Sequence, residues 1–148
     1  MSNNDLKKIF LYINTLVTQS NVKIFEVPRN IKDKEALFKG YEKGLDLPGY
    51  FGHNWDALDE CMRDLHWIAN KQVLIFHSDL PLTDNKEDLG IYLELLAVSV
   101  IQWRIASDHR LDVIFPTNVE KEILAILEQR RKDIFEYKKI FEKDFKNR

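Results

Sequence analysis

The 148 residues contain a single cysteine, Cys61, so no intramolecular disulfide can brace the fold, and the chain reads as one made for a reducing compartment. Glycine and proline together number only nine, five and four. That leaves no room for a long linker, and one domain over residues 1–148 is expected. Charge of one sign is also missing: 22 Lys and Arg face 24 Asp and Glu, a formal net charge of −2. A global basic field of the nucleic-acid-binding kind is therefore excluded, as is an acidic tail, and any electrostatic role must be local. Long apolar runs are absent too. The longest candidate, Ile91 to Ile105, is interrupted by Glu94, Gln102 and Arg104 and falls short of the roughly 18 residues that cross a bilayer. The opening stretch is broken by Asp5 and several Asn residues and is followed by no A-x-A-like cleavage site. A soluble, cytoplasmic protein is the expectation. There is no Gly-rich phosphate loop and no G-x-S-x-G nucleophile elbow. With no second cysteine there is no zinc spacing either, so no catalytic residue, cofactor or metal ligand is assigned.

Periodicity supplies the elements. Ile9, Ile13, Leu16 and Val17 at helical spacing predict an N-terminal helix within Asn4 to Ser20. Val22 to Val27, closed by Pro28, reads as a strand. Asp33 caps a helix over Lys34 to Gly44, and Asn54 caps another running to about Ile68. Gln72 to His77 is a strand buried on both faces. Asp84 with Glu87 signals a long helix through Ala106, apolar almost all round. Leu111 to Phe115 is a third strand, and Thr117 with Glu120 caps a final helix. Strands alternating with helices imply an α/β fold: a small three-stranded parallel sheet packed by helices, with additional helices over residues 1–21 and 118–148. From Lys121 onward nine Lys and Arg outnumber six Asp and Glu, most simply a solvated helix face.

The segment LDLPGYFGHNWDALDECMRDLHW is the least ordinary part of the chain. Between Leu45 and His66 stand five acids (Asp46, Asp56, Asp59, Glu60 and Asp64) and one base, Arg63. Helical spacing puts Leu58, Cys61, Met62 and Leu65 on a core face and Asp56, Asp59, Glu60 and Arg63 on a solvent face. An acid in the first turn gains roughly 0.3–1 kcal/mol from the helix dipole, so Asp56 by itself is explained by helix stabilisation. The neighbourhood adds more. Tyr50 and Phe51 adjoin two glycines, Gly49 and Gly52, and Trp55 starts the helix, where a large aromatic is hard to bury fully. Aromatics beside carboxylates suit a protein-binding surface.

LPGYFGHNWDALDECM resembles the signature of the barstar family, intracellular proteinaceous inhibitors of secreted ribonucleases. The similarity extends less sharply from about Val22 to Thr117, 96 of the 148 residues. It implies a partner, a basic ribonuclease or ribonuclease-like toxin, whose cationic active site the helix and its preceding loop would plug. Carried over by position, Tyr50, Asn54, Trp55, Asp56, Asp59 and Glu60 would form the contact surface, with Phe51, Gly52 and Trp67 at its periphery. Glu60 would be the acid entering the phosphate site. Two departures stand out. The family's best-known member has tryptophan at the position of Asp59 and aspartate at that of Glu60. Its later helix also contributes an acid, whereas Gln102, Trp103, Arg104 and Ile105 offer none.

The same surface has other readings. It could serve a non-inhibitory interaction module for some other basic partner. Asp56, Asp59 and Glu60 could instead hold a divalent metal for hydrolysis, although acids on one exposed helix lack a converging second element. Stacking of single-stranded nucleic acid on Tyr50, Trp55 and Trp67 is opposed by the local negative charge, so neither direct nucleic-acid binding nor a membrane role is expected.

Overall fold

The computed structural model describes residues 3–17, 19–49 and 51–147. In chain order the elements are α1 (Asn3–Lys7), β1 (Leu11–Tyr12), β2 (Val22–Val27), α2 (Lys34–Gly44), α3 (Trp55–Asp64), β3 (Gln72–His77), α4 (Lys86–Ala106), β4 (Arg110–Phe115), α5 (Glu120–Gln129) and α6 (Arg131–Lys146). The fold is α/β, a parallel sheet packed by helices, as the alternation of strand and helix implies. Its strand order is β1-β4-β3-β2. Register runs Ile24 to Leu74 across β2 and β3, and Leu74 to Asp112 across β3 and β4.

The sheet has four strands, one more than expected, because the predicted N-terminal helix ends at Lys7. Beyond it the chain turns and lays Leu11 and Tyr12 parallel to Ile114 and Phe115. Local chemistry explains the switch. Residues 9–13 (Ile-Phe-Leu-Tyr-Ile) are β-branched and aromatic for the most part, and Phe10 is buried against the Phe115 ring at 5.3 Å. Asn14 then accepts the Thr117 N–H at 2.9 Å and donates to the Thr117 hydroxyl at 3.0 Å, pairings no helix interior would allow it. Ile13 and Val17, whose helical spacing suggested the longer helix, lie beyond it and are exposed.

The α4 helix is long and apolar enough to cross a membrane by length and composition, with a mean hydropathy of 1.4 over 18 residues. The interruptions at Glu94, Gln102 and Arg104 do not prevent this. In the fold, 67% of that stretch is buried. The sheet covers it on one side and α3, α5 and α6 on others. Its cap is Asn85 rather than Asp84: Asn85 Oδ1 accepts the Asp88 N–H at 3.1 Å, and Asn85 Nδ2 donates to the Asp88 carboxylate at 3.0 Å.

The expected single C-terminal helix is two. Thr117–Val119 forms a 3₁₀ turn with no side-chain cap, and the helix that follows breaks at Arg130, whose ψ of 7° leaves the helical region. Arg130 crosses α4 at Gly90, the one place on that helix without a side chain to meet it, and its Nη1 lies 3.7 Å from Glu94. The break thereby turns α6 back along α4.

Beneath α2 the sheet carries a buried polar chain. His77 Nδ1 lies 2.9 Å from the Ile114 carbonyl, which can only accept, so that nitrogen carries the proton. His77 Nε2 accepts from the Tyr92 hydroxyl at 2.7 Å, and the Tyr41 hydroxyl donates to Tyr92 at 2.5 Å. Burial pushes the His77 imidazole down to about 3, against the opposing pull of the Ile114 hydrogen bond. Burial also raises both tyrosines. The neutral chain is therefore fully satisfied within the core.

Candidate functional site

The acidic segment is built on two capped helix ends. The Leu45 N–H closes α2 on the Tyr41 carbonyl at 3.0 Å, and the Leu47 N–H returns to the Glu42 carbonyl at 3.0 Å. Gly44 is required here: a Cβ would stand 2.1 Å from the Phe25 ring. The loop then turns through the Phe51 N–H on the Pro48 carbonyl at 2.9 Å. His53 adopts a left-handed φ of 51° and pairs with the Glu42 carboxylate. Asn54 starts α3 with Oδ1 accepting the Ala57 N–H at 2.8 Å, while its Nδ2 reaches back to the Gly52 carbonyl at 3.3 Å. Its side chain is thus committed to the cap and the loop.

The aromatic edge is turned inward, contrary to expectation. Phe51 is buried, its ring 6.2 Å from that of Phe38. Trp55 is half-buried, edge-on to Phe38 at 4.9 Å and tilted over Tyr92 at 6.3 Å, and its indole nitrogen is buried without a hydrogen-bond partner. The physical reason is that α3 lies low enough for residue 55 to reach the Phe38–Tyr92 layer. Trp67, also half-buried, donates its indole N–H to the Leu45 carbonyl at 2.8 Å and so ties the end of α3 to the loop before it. Tyr50 lies outside the described residues. Cys61 is buried, and burial pushes its thiol up, with Asp64 and Glu60 adding to the shift. It packs as a core residue.

The carboxylates face outward. Asp56, in the first turn, and Glu60, one turn on, are exposed, and among the described residues neither has an ion pair or a side-chain hydrogen bond. Asp59 differs. It is half-buried and accepts from Arg63 Nε at 3.2 Å. Burial raises its carboxyl, Arg63 opposes the shift, and Asp56 and Glu60 add to it. Arg63 itself lies against two neighbouring rings of α6, its Cζ 5.3 Å from the Tyr137 centroid and 5.2 Å from that of Phe141.

A further acid joins them. Glu94, on α4, is raised chiefly by burial; Arg130 opposes this, while Asp133 and Asp59 reinforce it. The sequence carried a signal for it: between Asp88 and Asp108, Glu94 is the one carboxylate in an otherwise apolar helix. The reach of α6 onto α3 had no such signal. The resulting arrangement, acids at the start of a capped helix, suits binding of cationic groups. Among the described residues, no three His, Cys, Asp or Glu side chains stand close enough to hold a metal ion.

The model of a family described as Barstar (barnase inhibitor) matches residues 23–115, which runs from the second residue of β2 to the end of β4 and includes the whole of α3. No curated protein and no solved structure matches the chain.

Proposed function

Since the chain belongs to the barstar family, we propose that it inhibits a basic ribonuclease by seating the carboxylates of α3 in the enzyme's cationic active site, without catalysing a reaction itself. The observation that carries this reading is the state of Glu60 and Asp56: exposed, one turn apart, and unpaired among the described residues. A carboxylate already neutralised within its own protein gains little from an incoming cation, whereas an unpaired one exchanges only its water shell. Glu60 enters the phosphate-binding position, Asp56 pairs with a second basic side chain, and the loop before α3, with Tyr50 and Gly52, supplies the rim. Asp59 is already shared with Arg63 and contributes less per charge. The protein acts in the cytoplasm, protecting its cell from a ribonuclease or ribonuclease-like toxin.

Opposed charge also speeds encounter, so association slows as salt screens it. The test is binding and inhibition against a panel of basic ribonucleases, comparing wild type with the Asp59→Lys/Glu60→Lys double variant. Loss of binding and of the salt-dependent association rate, with the fold intact, supports the reading; unchanged affinity overturns it. Capture of a ribonuclease whose activity continues would favour an interaction module on the same surface.

A further inference from the structure

We infer that the partner's footprint continues from α3 across the groove between α3, α4 and α6 and takes in the exposed face of α6, which receives a basic segment of the partner. This rests on the reading above and extends it to an element outside residues 23–115, the part matched by the family.

Size requires something of the kind. A stable interface uses roughly 800 Å² and 20–30 residues from each partner. The α3 helix has ten residues, and three of them, Leu58, Cys61 and Met62, are buried. Phe51, in the loop before it, is buried and cannot widen the surface.

Geometry supplies the missing part. A hollow of about 140 Å³ lies between Trp55 and Asp59 of α3, Glu94 of α4 and Tyr137 of α6. It shares Glu94 and Tyr137 with a second hollow of about 440 Å³ that runs on to Ile140. The two form one trough with its head at the start of α3. Five carboxylates line it, Asp56, Asp59, Glu94, Asp133 and Glu136; Arg63 pairs with Asp59 inside it, and Arg130 and Lys139 reach Glu94 and Glu136 from its edges at 3.7 and 3.8 Å. Apolar surface lies beside them: Tyr137 is 38% and Ile140 51% exposed, the two large exposed hydrophobics of this helix. An aromatic and an aliphatic flanked by acid suit an arginine or lysine carried next to an apolar residue, the charge meeting the exposed Asp133 and Glu136, whose pair with Lys139 is long and solvent-exposed and so exchanges at little cost, while its methylene stem lies on Tyr137. The trough has a fixed wall, because the contact of Arg63 with the Tyr137 and Phe141 rings docks α6 on α3.

The experiment uses the full chain and, as probe, the ribonuclease from the panel that it binds most tightly, barnase included. Glu136→Lys/Ile140→Ser alters two exposed positions and leaves the Arg63 contact in place. The expected result is an affinity loss of about tenfold, with unchanged melting, and amide shifts in residues 131–146 on binding. The exposed Glu26→Lys, on the far edge strand β2, should bind as wild type. Loss on Glu60→Lys with none on the α6 pair would overturn this extension and leave the proposed function standing. Loss on the α6 pair alone would place the contact on α6 and overturn the proposed function. If no ribonuclease in the panel is bound, both fall.

Discussion

Arg130 rests its guanidinium in the gap where Gly90 carries no side chain: a Cβ there would stand 2.6 Å from both Nε and Nη2. Gly90→Ala therefore sets two effects against each other. Alanine in a helix gains about 1 kcal/mol over glycine, while displacing Arg130 forfeits its partly exposed pair with Glu94, worth about as much or less. Overall stability is expected to move by less than about 1 kcal/mol. The local effect is larger, because Arg130 sets the bend into α6. Hydrogen exchange should quicken in residues 131–146 and not in β3, which separates loosening of α6 from global destabilisation.

His77 gives the core a defined pH response. Its imidazole is neutral in the fold down to about 3, whereas the unfolded chain takes up the proton near 6.5. Between those values the unfolded state binds more protons. The His77 contribution is thus complete above about 6.5 and is lost progressively as pH falls toward 3. His77→Leu leaves the Tyr92 hydroxyl and the Ile114 carbonyl without this partner and should cost about 1–3 kcal/mol for each at neutral pH. In urea melts, the stability gap between wild type and variant should narrow from pH 7.5 to pH 4.5. A gap constant across that range would show that His77 takes up its proton in the native state as readily as in the unfolded chain.

Arg63→Met removes the charge beside Asp59 and keeps a stem that packs on Tyr137 and Phe141. With its one opposing influence gone, the Asp59 carboxyl should titrate higher than in wild type, since burial, Asp56 and Glu60 all push it up. Carboxyl-detected NMR titration reads this directly. Stability should fall by less than about 1 kcal/mol, as expected for a partly exposed pair.

The indole nitrogen of Trp55 is buried without a partner, so Trp55→Phe removes an unsatisfied donor while keeping an aromatic against Phe38. Thermal unfolding should shift by no more than about 1 kcal/mol in either direction. Trp55→Ala removes the packing as well and should cost toward the lower end of roughly 3–5 kcal/mol, the ring being only half-buried. Equal losses for the two variants would mean that the nitrogen is hydrogen-bonded in solution.

These residues also show where the sequence was legible. Asp33 and Asn54 announce their helices because a cap is local: each accepts the N–H of the residue three further on. The run Val73 to Phe76 announces β3 because a strand sandwiched between helices must be apolar on both faces. The acidic face of α3 follows from helical spacing alone. What escaped depends on distant partners. Ile9, Ile13 and Val17 have helical spacing, yet β4 offers Leu11 and Tyr12 a strand to pair with. Phe51 and Trp55 look exposed until Phe38 and Tyr92 are brought beneath them. Asp59 and Arg63 are visible as neighbours one turn apart, but the rings that hold Arg63 come from residues 137 and 141.

The long helix that these later elements cover has a consequence for synthesis. When Ala106 is added to the growing chain, α4 is complete as a 21-residue apolar segment, and the strand β4 and the helices α5 and α6 that pack on it have yet to be made. Forty residues separate Ala106 from Lys146, the end of α6. At about 5–20 residues per second, α4 waits roughly 2–8 seconds for its last cover. The C-terminal helices therefore have a second task besides stability: a chain cut short before them would leave a helix of membrane-spanning length and hydropathy without its cover.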